Sequence, residues 1–126
     1  ANVGAEFRMG IYQATNQTNV YPRNLILDAG TFDASTTGIR TGTINTNLQP
    51  NTLYWFGMFM SGSATFAGVS SDDSFDLLGI DFSRDPPSAD VGLRRTSQTY
   101  GTLPNTFPAN ASTWNATTAI GVRFLT

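Results

Sequence analysis

Five aspartates, Asp72, Asp73, Asp76, Asp81 and Asp85, fall within one short stretch of the chain. Clustered carboxylates can supply oxygen ligands to a calcium ion, or the acid and base of glycoside hydrolysis. Neither spacing is specific here, because Asp72-Asp73-Ser74-Phe75-Asp76 lacks the glycine and terminal glutamate of an EF-hand loop. The stretch reads as a solvated acidic connection, with Asp72, Asp73 and Asp76 the residues that would hold a hard cation. Arg94-Arg95 is a second constellation, since paired guanidinium groups can grip a carboxylate in bidentate fashion on a neighbouring subunit or an anionic sugar. The competing reading puts one arginine in solvent and the other in a local ion pair. Tyr12, Tyr21, Tyr100 and Trp114 stand in or beside stretches rich in Asn, Thr and Gln. There an aromatic ring can offer a flat face to a sugar or anchor an interface, or simply close the open end of a sandwich. Tyr21, Arg94, Arg95, Tyr100 and Trp114 form the candidate binding set; Tyr12 lies within a strand pattern.

What is missing narrows the chemistry further. The 126 residues include no histidine and no cysteine, and all seven basic residues are arginine. Serine triads of the usual composition, cysteine nucleophiles and ordinary zinc sites are excluded. A phosphate-cradling loop ending in lysine is excluded too, and no Gly-x-Gly-x-x-Gly motif occurs. We therefore expect no enzyme, no catalytic residues and no cofactor. A formal charge of −2 lacks the basic surplus of a nucleic-acid binder. The apolar runs are too short for a membrane-spanning helix, so membrane insertion is not expected. A surface wetted mainly by hydroxyls and amides suits an extracellular or virion setting. Ala1 is not an initiator methionine, which suggests processing or a longer parent chain.

The elements that must position these residues follow from turn signals and alternation. Residues 6–12 place Phe7, Met9 and Ile11 on one face of a strand and Arg8 and Tyr12 on the other. Residues 15–24 form a polar loop, and Leu25-Ile26-Leu27 opens a second run continuing through Thr31-Phe32. Residues 39–48 alternate as another strand after the turn at Ser35-Thr36-Thr37-Gly38. Pro50-Asn51 should reverse the chain into Leu53-Tyr54-Trp55-Phe56-Gly57-Met58-Phe59-Met60, read as a central buried strand whose second face is covered by the core or by a partner chain. Ser61-Gly62-Ser63 suits a hairpin into residues 64–69. Residues 75–82 could be a short helical turn or an irregular strand, and Asp85-Pro86-Pro87 breaks any ladder. A further strand is expected over residues 91–100, a loop over 101–111 and a closing strand over 119–125. Turns at this spacing predict one all-β domain over residues 1–126, an antiparallel β-sandwich, jelly-roll-like or Ig-like.

Three segments carry a family resemblance: Tyr21-Pro22-Arg23-Asn24-Leu25-Ile26-Leu27-Asp28-Ala29-Gly30-Thr31, Ser35-Thr36-Thr37-Gly38, and Leu48-Gln49-Pro50-Asn51-Thr52-Leu53-Tyr54-Trp55. With Gly101-Thr102-Leu103-Pro104-Asn105-Thr106-Phe107-Pro108 in the closing section, the chain resembles a β-sandwich domain of tailed-bacteriophage virion proteins. The resemblance implies the C-terminal part of a tail-fibre, tail-tip or other structural protein, without catalytic residues. It also implies further strands ahead of the segment matching residues 6–12: either another chain or another region supplies them, or this is a minimal version in which an edge is completed by a neighbour. The expected partners are other copies of the chain, as a trimer, other virion proteins, and a host cell-surface glycan. Capsid decoration and a carbohydrate-binding module of a secreted protein are the alternatives.

Overall fold

Alternation from Phe7 to Ile11 builds the strand at the centre of the largest sheet. The computed structural model describes residues 4–62, 66, 68–70, 80–81, 88–89, 92–114, 116–118 and 120. Strand β1, Glu6–Ala14, lies between β2, Pro22–Asp33, and β3, Tyr54–Met60, in the order β2-β1-β3. Both pairings are antiparallel. Three short antiparallel pairs complete the secondary structure of the described residues: β4, Gly68–Ser70, with β9, Ala116–Thr118; β5, Ile80–Asp81, with β6, Ser88–Ala89; and β7, Gly92–Arg94, with β8, Ser112–Trp114. The fold is all-β, with no helix among the described residues. The chain divides into two compact units, Ala1–Thr65 with Thr99–Pro108, and Phe66–Gln98 with Ala109–Thr126.

In the first unit, nine residues of β1 pair with a β2 of twelve. The surplus is absorbed where the register slips, between Arg8 and Gly10, Ile11 and Tyr12, and Gln13 and Ala14. Each slip leaves an extra residue on β2, which bends the strand and increases its twist. The slip at Ile26 has a packing consequence. Leu25 pairs with Tyr12 and Leu27 with Ile11, so the two leucines lie on opposite faces and Ile26 is pushed outward, 38% exposed. At the bulge beside Asp28, Gly30 adopts a φ of 86°, a left-handed conformation that costs glycine little.

Both faces of β1 are covered. Phe7 and Ile11 are buried on one face, where Phe7 stacks on Phe32 with ring centroids 5.2 Å apart. On the other face Tyr12 is the most enclosed large side chain, with Pro22. The segment 99–108 lies over that face. Leu103 is buried, and a Cβ on Gly10 would collide with its Cδ1 and approach the Leu27 carbonyl to 2.7 Å. Gly57 leaves room in the same way for the Tyr12 ring, 2.9 Å from where its Cβ would stand. The segment also covers the outer edge of β2: Leu25 N–H donates to the Asn105 carbonyl at 2.9 Å and Phe107 N–H to the Arg23 carbonyl at 2.7 Å. Half-burial of β1 was the expectation from alternation; at Tyr12 that expectation fails because segment 99–108, distant in sequence, supplies a second layer.

The run at residues 54–60 is a strand, and Asn51 enters it through a left-handed φ of 56°. Among the described residues it pairs only with β1, at the edge of its sheet and not at the centre. Phe56 and Met60 are each 43% exposed, on the face that Phe7 and Ile11 bury along β1. An unbroken apolar run signals burial without saying how many neighbours a strand has. Residues 39–48 form no strand. Arg40 instead ties the segment down, Nε donating to the Asp33 carbonyl at 2.7 Å and Nη2 to the Thr36 carbonyl at 2.7 Å, while Ile39 is 91% exposed. Side-chain hydrogen bonds of this kind offer the backbone an alternative to a ladder. Most of the hairpin expected from Ser61 into residues 64–69 lies outside the described residues; Ser61 N–H donates to the Glu6 carbonyl at 2.8 Å, and Gly68 and Val69, in β4, pair with β9. The strand expected over 91–100 is confined to β7, and Ser97 beyond it adopts a left-handed φ of 63°. Asp85-Pro86-Pro87 and, apart from Ile120, the closing strand lie outside the described residues. So does the 75–82 segment except for β5.

Candidate functional site

The candidate binding residues separate into two kinds of environment. Tyr21 belongs to the first unit, where its hydroxyl donates to the Pro108 carbonyl at 2.7 Å and its ring meets Phe107 edge-on at 5.8 Å. Tyr12 does the same one step inward, donating to the Pro104 carbonyl at 2.9 Å and meeting the other side of the contact with Phe107 at 5.3 Å. Together the two tyrosines clamp the segment that roofs the sheet. Tyr100 packs on Phe59 with centroids 5.5 Å apart, and its hydroxyl is buried without a hydrogen-bond partner. Trp55 extends the pattern, donating from Nε1 to the Val20 carbonyl at 2.7 Å. For Tyr12, Tyr21 and Trp55 the partner of the polar tip is a backbone carbonyl of the protein itself, and the Tyr100 hydroxyl is the exception.

Beneath this layer lies an ion pair that sequence reasoning did not single out. Arg8 Nη2 and Asp28 Oδ2 are 2.9 Å apart, and Arg8 Nη1 donates to Thr31 Oγ1 at 3.0 Å. Asp28 also accepts the Gly30 amide at 2.8 Å, so the bulge and the ion pair hold each other. The available signal was Arg8 and Asp28 interrupting two apolar strand runs, each two residues before a glycine. Burial pushes the Asp28 carboxyl up, but the Gly30 amide, the Arg8 guanidinium and the Leu103 amide together hold it below the usual carboxylate range. Burial, with the Asp28 charge adding to it, pushes the Tyr12 phenol up to about 12. Neither group is poised to exchange protons near neutrality, which general acid–base catalysis requires. At the exposed Asp33, the Ser35 hydroxyl and then its amide hold the carboxyl low, and the Arg40 charge acts in the same direction.

In the second unit, Arg94 and Trp114 meet on the antiparallel pair formed by β7 and β8. Gly92 pairs with Trp114 and Arg94 with Ser112, which puts these four residues on one face. Gly92 has no side chain, and the diagonal Arg94 guanidinium lies over the indole with Cζ 4.5 Å from the ring centroid. Both side chains remain exposed, Trp114 at 38%. Arg95 points elsewhere: its Nη1 donates at 3.5 Å to the carbonyl of Asn110, a residue in left-handed conformation with φ of 62°. The adjacent arginines therefore do not form a two-pronged fork. Alternation along β7 separates them, and the aromatic neighbour was invisible until β8 paired alongside.

Asp72, Asp73 and Asp76 lie outside the described residues. Among the described residues no three acidic side chains cluster as a metal site would need, and no helix is long and apolar enough to cross a membrane. Comparison with protein-family models, with curated proteins and with solved structures finds no match to the chain.

Proposed function

We propose that the chain is a non-enzymatic structural domain of a bacteriophage virion, of the tail-fibre or adhesion type, a β-sandwich that assembles with copies of itself and presents loops to a host surface. The observation that carries this reading is β3, which among the described residues pairs on one side only, with β1, and which leaves two apolar side chains exposed on a face of the sheet. Its seven residues, Tyr54–Met60, contain no charge and no proline, and Phe56 and Met60 leave apolar surface in water. Edge strands of proteins that work alone are generally blunted by charge, proline or a covering loop, and the β2 edge has such a covering loop. The occupant favoured for β3 is a second copy of the chain. With no charge along the strand and a formal charge of only −2, copies approach without like-charge opposition. A trimer matches the resemblance to fibre domains, whose segments at 21–31 and 48–55 include the turn into β3 itself.

Attachment to a host surface draws on the second unit, where Arg94 and Trp114 are exposed and not consumed in packing. The test is location on the particle. Antibody raised against the chain and viewed on intact virions by electron microscopy should label the tail or fibre tips. Label spread with symmetry over the shell would replace adhesion by capsid decoration, and unlabelled particles would overturn the virion assignment.

A further inference from the structure

We infer that Arg94 and Trp114 form a binding site for the carboxylate of an acidic polysaccharide, a chain carrying uronate-type sugars. The inference deepens the attachment reading above and rests on it for biological context only. An arginine side chain in solvent samples many rotamers, and ordering it on a ligand costs affinity. Here the indole already holds the guanidinium in place, with Cζ 4.5 Å from the ring centroid. A stacked guanidinium keeps its N–H donors in its own plane, where two of them match the two oxygens of a carboxylate.

The indole supplies the second half of the site. With 38% of Trp114 still in water, its surface next to the guanidinium can pack against the C–H face of a sugar ring, as aromatic side chains do with their amphipathic partners. Ser112, on the same face, is polar, uncharged and exposed, as are Thr96, Ser97, Gln98 and Asn110 in the segments that flank the two strands. Hydroxyls and amides beside one positive charge suit a polyhydroxylated ligand with one anion per ring better than an acidic peptide, which would call for several cations. Arg95, tied to the Asn110 carbonyl, contributes long-range attraction without occupying the same anion.

Calorimetric titration of the full chain with a tetramer of galacturonate tests the site, beside its methyl-esterified neutral counterpart and a tetraglutamate peptide. Binding is expected for the galacturonate tetramer, with affinity at least about tenfold weaker for the neutral tetramer, as loss of a charge-assisted bidentate contact implies. Arg94→Lys, which keeps the charge but not the fork, and Trp114→Ala should each weaken binding by about tenfold. An Arg95→Ala variant should change it less than about threefold, an exposed charge acting at a distance being largely screened. In the unmodified chain the Trp114 indole N–H resonance should shift on titration, a readout independent of how any variant folds. Equal affinity for the neutral tetramer, a preference for tetraglutamate, an unmoved indole resonance, or full binding by Arg94→Lys would each overturn the site. Binding by a chain absent from virions would sustain the site and remove the virion assignment; tip label without binding would do the reverse.

Discussion

Tyr12 and Trp114 pose one question with two answers. Each is an aromatic residue on a strand, diagonal or adjacent to a glycine on the neighbouring strand, and each has a polar group nearby. Tyr12 is buried under segment 99–108, and its hydroxyl is spent on the Pro104 carbonyl. Trp114 stays in water with an arginine laid on it. The difference lies in what covers the glycine face of each sheet. Where a distant segment returns over it, as at Gly10 and Gly57, aromatic rings become core and their polar tips lock the roof. At the β7–β8 ladder, the guanidinium of the chain's own Arg94 is the only group described over the ring, and the pair remains available. Aromatic loop composition alone therefore does not mark recognition in this chain; the destination of each polar tip does.

That contrast can be broken by mutation, and the largest effect belongs to the roofed side. Tyr12→Ala should cost about 3–5 kcal/mol in urea unfolding, the usual range for emptying a buried aromatic site. Gly10→Ala should cost about 1–3 kcal/mol by the same measurement, because the new methyl meets Leu103 Cδ1 and the Leu27 carbonyl. Trp114→Ala should stay within about 1 kcal/mol of the parent, since an exposed cation–π contact contributes about 0.5–1 kcal/mol. A Trp114 variant that unfolded like Tyr12→Ala would erase the distinction.

Titration sharpens the same comparison. The Tyr12 phenol is raised in the folded state, so the stability it contributes is present below the unfolded value near 10 and is lost as pH rises from there through about 12. Tyr12→Phe should remove that component of the alkaline loss, followed as the urea midpoint at pH 9 and pH 11.5. Asp28 is lowered in the folded state; its contribution is present above the unfolded carboxylate value and is lost as pH falls through the folded one. Asp28→Asn should flatten the acid limb of the stability profile, and an unchanged acid limb would show that the Arg8 pair does not hold the bulge.

Local patterns carried much of the first unit. Alternation at Phe7, Met9 and Ile11 specified β1, and Pro50-Asn51 specified the turn into β3, since both signals act within a few residues. The edge position of β3 was not legible, because an apolar strand of seven residues has the same sequence whether its second neighbour is present or supplied by another chain. The three bulges of β2 were hidden for a similar reason: Leu25-Ile26-Leu27 looks like one continuous run until pairing with Tyr12 and Ile11 sends its leucines to opposite faces. Residues 39–48 alternated convincingly yet lost to the side-chain hydrogen bonds of Arg40. Of the candidate site, residue types were readable and company was not. Arg94 and Arg95 are neighbours in sequence and diverge in space, whereas Arg94 and Trp114 are twenty residues apart and touch.

The proposed completion of β3 by another copy of the chain is tested by sedimentation velocity over a range of concentrations. The account predicts an assembly at three times the 13.6 kDa chain mass, reduced to monomer by Phe56→Glu without loss of the folded sheet by circular dichroism. A chain that sediments as a monomer at every concentration, or a Phe56→Glu variant that assembles as the parent does, would contradict it.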